Sequence, residues 1–284
     1  MSKRVIYQLV LLVLFAACEK EVQNYEEQIV VEGWIESGGY PSVFLTKTFV
    51  VAEGEMTDEE QSIVLPWGKV TVSDGIRTEV LTGDYDERYT PPYVYSTSRM
   101  KGVPGHTYYL TVEYEDRVLR AQISIPEPAE LEALEVSPCE HIDSAYQITA
   151  RFEDNKDTKD YYLFLTRIHN RENRFYPSFL GVLDDAVLSE YNRYMVYRGM
   201  HKLTSKNHAY NPYFLETDLV QVKFARIDEA TYHIHKAYEE MVTLSNNPLF
   251  ASDISLPTNV QGGLGFWCGY AVTEYSVVIA DSIR

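Results

Sequence analysis

The chain has 284 residues, of which 45% are hydrophobic and 13% aromatic, so it is long enough to bury the cores of about two domains. Its 25 basic residues face 42 acidic ones, which gives a formal net charge of −17. This acidity argues against binding nucleic acid or being held electrostatically on an anionic membrane, since both need a cationic surface.

Residues 1–17 have the pattern of a bacterial export signal. Two basic residues precede the apolar segment Val5–Ala17, which is too short to span a bilayer and therefore predicts a cleaved leader. Cys18 follows two alanines directly, as in a lipobox, so we expect it to carry the lipid anchor, palmitate included. Residues 18–27 would then form an acidic tether. The alternative is an ordinary secretory leader with an incidental cysteine.

Residues 28–126 predict an N-terminal β-sandwich. Ile29–Ile35 and Ser42–Val51 are strand candidates, and Asp74-Gly75 is a two-residue hairpin signal. Between Tyr108 and Ile125, two further segments alternate apolar and polar residues. Each such strand buries one face and exposes the other, which is typical of an antiparallel sandwich.

Pro126 and Pro128 mark the boundary to a second β-rich domain, residues 127–284, because proline cannot donate a ladder hydrogen bond. We expect this domain to be an antiparallel sandwich of the immunoglobulin or fibronectin kind, with Tyr161–Thr166 as a central strand. One helix is predicted over Asp228–Leu244, with its first residue as the N-cap.

Three segments, taken together, resemble a known family. They are Val30–Ile35, Gly105–Leu110 and Asn259–Phe266, and they follow the lipobox in that order. In this arrangement the chain resembles the Bacteroidetes lipoprotein family known as domain of unknown function 4249. The resemblance implies an outer-membrane lipoprotein with an N-terminal prealbumin-like or carboxypeptidase-regulatory-like sandwich. It also implies a gene often found beside TonB-dependent transporters, and it assigns no catalytic residue.

The residues after Cys18 bear on which way the protein faces. Glu19, Lys20 and Glu21 partly match the lysine-plus-acidic signal of surface-exported lipoproteins in Bacteroidetes. We therefore expect a lipid-anchored protein on the cell surface. A periplasm-facing anchor is the alternative.

Motifs for catalysis or metal binding are weak. His233 and His235 lie two residues apart on the predicted helix, so their side chains diverge too far to share a metal ion. His235 and Glu239 share a helix face, and a solvated surface pair is the favoured interpretation of them. Metalloprotease, nucleophile-elbow and Walker motifs are missing from the sequence. We therefore expect no enzyme activity, no metal and no cofactor.

Two further clusters favour structural roles. An aspartate series from residue 154 to residue 160 resembles a calcium loop, but its intervening lysines favour a hairpin turn. Gly262, Gly263 and Gly265 precede a strand rather than a helix, so they favour a bulge or a close backbone approach over a phosphate cradle.

Cys139 and Cys268 are the two cysteines of the mature chain. In an oxidising compartment they could close a disulfide between the first and last strands of the C-terminal domain. Two unpaired thiols are the alternative, because cysteine is also a common small buried residue.

A tyrosine-rich insert follows the predicted central strand. Long structured segments in compact domains are usually functional, and tyrosine offers contact area at low entropy cost. We therefore expect ligand contacts here, with packing of the insert onto its own domain as an equally compatible alternative. The candidate contact residues are Tyr176, Tyr191, Tyr194, Tyr197, Tyr210 and Tyr213.

Together these features predict a non-catalytic surface lipoprotein, accessory to a TonB-dependent nutrient uptake system. The expected partners are membrane lipid and a transporter or its lipoprotein subunits, while glycans and peptides both stay open as ligands. A structural or adhesive, fimbria-associated lipoprotein is the alternative. A secreted hydrolase with a carboxylate pair is a third hypothesis, which 42 acidic residues leave open.

Overall fold

The computed structural model describes residues 26–48, 63–140, 142–199, 210–244 and 256–279. The predicted leader, Cys18 and most of the predicted tether lie outside these residues. Within them the protein is mainly β, as predicted, with one helix. The elements are β1 (Ile29–Glu36), β2 (Ser42–Lys47), β3 (Lys69–Ser73), β4 (Thr78–Tyr85), β5 (Tyr93–Ser96), β6 (Thr107–Tyr114), β7 (Arg117–Ser124), β8 (Ala133–Pro138), β9 (Ala145–Glu153), β10 (Tyr161–Ile168), β11 (Tyr176–Asp184), β12 (Tyr191–Val196), β13 (Phe214–Leu215), β14 (Leu219–Ile227), α1 (Glu229–Leu244) and β15 (Leu264–Val278).

Eleven of the strands form one continuous sheet in the order β11-β10-β14-β15-β1-β2-β5-β4-β3-β6-β7. A second sheet has four strands, in which β9 pairs with β8, β12 and β13. Adjacent strands of the large sheet run antiparallel except β1 and β15, which run parallel with Glu32 opposite Phe266. This pair departs from the purely antiparallel arrangement that the sequence predicted.

The first core lies inside the curled part of the large sheet, between β1 and β2 on one side and β6 and β7 on the other. The alternation predicted from Tyr108 to Ile125 is confirmed, because the inward residues of both strands are buried. Trp267 of β15 is fully buried in this core, and its indole N–H donates to the Tyr108 carbonyl at 3.2 Å. The last strand therefore completes a core made by the N-terminal half of the chain.

Two more cores lie on opposite faces of β10, β14 and β15. One of these two cores is rich in aromatic rings and packs against the four-stranded sheet. In it, the ring centroids of Phe152 and Phe224 are 4.9 Å apart. The other is covered by α1, through Ile234 against Leu163 and Cys268. The strand predicted over Tyr161–Thr166 is buried along its whole length and lies between β11 and β14, as expected for a central strand.

The predicted boundary at Pro126–Pro128 separates β7 from β8 along the chain, but not in the sheet. Strand β15 lies between β14 and β1, so it pairs with both predicted domains. Its successive side chains alternate, so that Trp267 faces the first core and Cys268 the core under α1. The two regions thus share one strand and one sheet.

Local sequence signals explain the helix start and one hairpin. The backbone N–H of Thr231 donates to the Asp228 carboxylate at 2.8 Å, so the predicted N-cap is confirmed. Asp74 accepts the backbone N–H of Arg77 at 2.7 Å, and Gly75 takes a positive φ of 86° in the β3–β4 turn. Among the described residues, no helix has the length and apolarity required to cross a membrane.

Candidate functional site

The face of β1 that points away from the first core is aromatic. Val31 and Ile35 point into the core, so Glu32 and Trp34 point to the opposite face. The strand register places Glu32 between Phe44 of β2 and Phe266 of β15. We call this surface the aromatic face and define it by Trp34, Phe44, Tyr89 and Phe266.

Three rings of the aromatic face form a compact cluster. Trp34 stacks on Phe44 with centroids 5.6 Å apart, and Tyr89 meets Phe44 edge-on at 5.0 Å. Tyr89 comes from the β4–β5 loop, where an ion pair joins its neighbour Arg88 to Asp86 at 2.6 Å. That pair lowers the pKa of Asp86 and helps to fix the loop that carries the ring.

Arg174, in the β10–β11 connection, lies against the same cluster. Its guanidinium carbon is 5.3 Å from the Tyr89 ring centroid and 4.8 Å from that of Tyr176, both within cation–π range. Its Nε is buried and has no hydrogen-bond partner. Among the described residues no carboxylate lies within ion-pair distance of this guanidinium, so its direct contacts are with ring faces.

Glu32 carries the opposite charge on this face. Desolvation raises the pKa of its carboxyl, and the positive charge of Arg174 partly offsets that rise. The side chain is nevertheless exposed, so solvent and solutes can reach it. Tyr238 of α1 is nearby: burial raises the pKa of its phenol, and the charges of Glu32 and Arg174 also act on it. No hydrogen bond or ion pair joins Glu32 to another described residue.

The neighbouring outward carboxylate of β1, Glu36, has an ion-pair partner. Glu36 pairs with Lys223 of β14 at 2.5 Å, and the Lys223 ammonium also lies 4.4 Å from the Phe175 ring centroid. Glu36 and Glu32 lie on the same face of β1, four residues apart, but only the former has a cation within 4 Å among the described residues. The unpaired state of Glu32 is therefore a local property of the aromatic face.

This arrangement is suited to binding. Two opposite charges, both without ion-pair partners in the described parts of the chain, border a cluster of rings in which Phe44 is buried and Trp34 and Tyr89 are half-buried. Sequence reasoning missed the site because its residues come from five separate segments of the chain. The one available signal was Trp34, a large aromatic on the strand face opposite the core pattern.

Four of the six tyrosines predicted as ligand contacts pack the insert onto its own region, the arrangement that the sequence left open as the alternative. They are Tyr194, Tyr197, Tyr210 and Tyr213. The ring of Tyr194, for example, stacks on Phe164 with centroids 5.9 Å apart. Tyr191 is exposed at the start of β12, and Tyr176 borders the aromatic face through Arg174. The insert thus brings one predicted residue to the candidate site.

Of the two alternatives for Cys139 and Cys268, the structure has the unpaired one, because both are free thiols. Cys268 is buried under α1, where desolvation raises the pKa of its thiol to about 12. Cys139 follows β8 of the other sheet and interacts with Tyr213. The two residues are separated because β15 joins the large sheet instead of closing the small one.

His235 is not the solvated surface residue that the sequence favoured. Its Nε2 lies 2.9 Å from the hydroxyl of Tyr270, and burial lowers its pKa to about 4. A cavity of about 30 Å³ lies beside it, between α1 and β11, lined by Ser178, Tyr238 and Glu239 among others. That volume is room for about two water molecules.

The aspartate series occupies the β9–β10 turn, as predicted, and the carboxylates of its first and last members bond to protein groups. Asp154 accepts the hydroxyl of Tyr162 at 2.8 Å, and Asp160 pairs with Arg226. In the part of the chain that the structure describes, no group of three potential metal ligands comes together.

Comparison with known proteins places the chain in a family. No curated protein matches the sequence. A family model described as Domain of unknown function (DUF4249) matches residues 18–276, which include Glu32, Arg174 and the whole aromatic face. Because the match covers most of the sequence, the chain belongs to the DUF4249 family, as its lipobox and three short segments predicted.

Proposed function

We propose that this protein is an outer-membrane lipoprotein that binds a soluble ligand without transforming it, as an accessory to a TonB-dependent nutrient uptake system. The observation that carries the proposal is the aromatic face with Glu32 and Arg174 beside it. Aromatic area combined with a few convergent polar groups is the usual composition of a ligand site. The lipobox and the family membership support the anchor and the setting.

The proposed anchor directs one end of the first core toward the bilayer. The described chain starts at this end, where the backbone carbonyl of Glu27 accepts a hydrogen bond from Arg117 at 2.8 Å. Cys18 is only eight residues before Glu26, which limits the tether to about 28 Å at ~3.5 Å per residue.

Trp67 lies at the same end and is 87% exposed. Its position follows from its neighbours: Leu65 bonds to the backbone of Leu45 near the end of β2, and Lys69 starts β3. Tryptophan favours the interface between bilayer and water, where its ring is buried among headgroups and its N–H stays hydrated. An exposed Trp67 at the end nearest Cys18 supports a body that rests on the membrane surface.

The anchor and the partner are tested separately. In Cys18→Ser cells we expect the protein to leave the membrane fraction, whereas Cys139→Ser protein stays with it. Affinity capture of the lipidated protein from native outer membranes should recover a TonB-dependent transporter or its lipoprotein subunits. Retention of Cys18→Ser protein on the membrane would contradict the anchor, and recovery of self-assembled fibres without a transporter would contradict the uptake role.

A further inference from the structure

We infer that the aromatic face binds short zwitterionic peptides. In this assignment Arg174 receives the terminal carboxylate, Glu32 receives the terminal ammonium group, and the rings of Trp34 and Tyr89 contact an apolar side chain. The inference rests on the proposed function, which supplies the expectation of a soluble ligand, and it names the class of that ligand.

Arg174 is prepared for a carboxylate. The rings of Tyr89 and Tyr176 hold its guanidinium at 5.3 and 4.8 Å, so the side chain is positioned before any ligand arrives. The Nε of Arg174 is buried and has no hydrogen-bond partner among the described residues, so the guanidinium is not satisfied by this part of the fold. Carboxylates bind guanidinium groups through parallel N–H···O bonds.

Glu32 is the matching group for an ammonium. It lies two residues before Trp34 on the same strand face, beside Phe44 and Phe266 in the strand register. Its carboxylate has no ion pair among the described residues, whereas Glu36 on the same face is paired with Lys223. A ligand ammonium would therefore pair with Glu32 as Lys223 pairs with Glu36.

The two charges favour peptides over neutral glycans. A sugar ring could stack on Trp34 or Tyr89, but it would cover Glu32 and Arg174 without neutralising either one. Covering a charge without pairing it opposes binding. A zwitterionic peptide pairs both charges at once and places its side chain on the rings. The charges and the rings therefore both favour this class of ligand.

Binding is measured with the lipidated full chain in detergent micelles, by calorimetry and saturation-transfer NMR. The probes are a panel of di- to tetrapeptides, each with one aromatic or aliphatic side chain. Every peptide is also supplied with an acetylated N-terminus, with an amidated C-terminus, and with both blocks. Maltotriose and cellotriose serve as neutral glycan probes. We expect some of the free peptides to bind and each single block to weaken them about tenfold, as for the loss of one charge-assisted contact.

Paired changes in protein and ligand identify which residue meets which end. Acetylation should weaken binding to the wild-type chain and to Arg174→Gln, but should have no further effect on Glu32→Gln. Amidation should weaken binding to the wild-type chain and to Glu32→Gln, but not to Arg174→Gln. Glu113→Gln and Arg193→Gln remove exposed charges elsewhere and should bind as the wild type does.

Several results would overturn the inference. It fails if no peptide of the panel binds, if doubly blocked peptides bind as tightly as free ones, or if a glycan binds and the peptides do not. Because free and blocked peptides are compared on the wild-type chain, a misfolded variant does not affect any of these three results. Transporter capture is a separate measurement, so peptide binding without capture would reject the uptake role and leave this site intact.

Discussion

Gly265 lies opposite Val31 in the parallel β1–β15 pair. Its φ is +102°, and a Cβ at this position would collide with the carbonyl oxygen of Val31. The sequence predicted a bulge or close backbone approach at this glycine cluster, and the close approach is confirmed. The parallel pairing that joins the N- and C-terminal regions thus depends on a residue without a side chain.

Gly265→Ala should destabilise the protein by about 3 kcal/mol, because it adds both an unfavourable φ and a backbone collision. Urea unfolding followed by tryptophan fluorescence measures the change. Gly38→Ala is the matched control, since Gly38 also has a positive φ, of 73°, but an added Cβ would meet nothing within 4 Å. Equal losses of stability in the two variants would show that the close approach to β1 does not matter.

His235 makes stability depend on pH. Its pKa is about 4 in the folded protein, below the ordinary value of 6.5, because burial disfavours the charged ring. The unfolded chain therefore binds the proton more readily than the folded one. The stability that neutral His235 contributes to the fold is complete above pH 6.5 and is lost as the pH falls toward 4.

Between pH 7 and pH 4.5, the unfolding free energy should fall by about 2 kcal/mol less in His235→Gln than in the wild-type chain. Urea titrations at both pH values measure it, with exposed His106→Gln as the control. An unchanged pH dependence in His235→Gln would show that this ring is protonated in the folded protein as easily as in the unfolded one.

At the level of elements, the sequence predicted what short-range patterns determine. Period-two alternation located β6 and β7, and an N-cap residue located the start of α1, because each depends on near neighbours. Pairing between distant strands leaves no such pattern. The parallel β1–β15 pair and the aromatic face both follow from that long-range contact, so neither was predicted, whereas two unpaired cysteines were one of the two alternatives that the sequence left open.

The N-cap prediction has its own test. Asp228→Ala should cost about 1 kcal/mol of stability, because the N–H of Thr231 loses its acceptor at the start of α1. Thermal unfolding measures the cost, with Asp143→Ala as an exposed control. If the two variants unfold at the same temperature, the cap contributes nothing to the stability of this helix.

On the scale of the whole molecule, β15 connects regions that the sequence divided at Pro126–Pro128. The first core contains Trp267, and the core under α1 contains Cys268, so neighbouring residues of one strand stabilise both. The helix and the β10–β11 connection then bring Tyr238 and Arg174 to the face that carries Glu32. The candidate site is a product of this shared sheet.

A fragment ending at residue 126 should therefore not fold alone, since it lacks β15 and leaves the space of Trp267 empty. Proton NMR of this fragment should show the narrow dispersion of an unfolded chain, while the full chain shows dispersed signals. A fragment with the full chain's dispersed pattern would establish an independent N-terminal domain and would contradict a shared core.

The central claim, that the aromatic face receives the ligand, is tested most directly by indole NMR. The chain has three tryptophans, one on the aromatic face (Trp34), one exposed near the proposed anchor (Trp67) and one buried in the first core (Trp267). With ¹⁵N-labelled tryptophan and assignment by Trp34→Phe, a binding zwitterionic peptide should shift the Trp34 signal and leave the other two in place. A peptide that binds without moving the Trp34 signal would contradict the account.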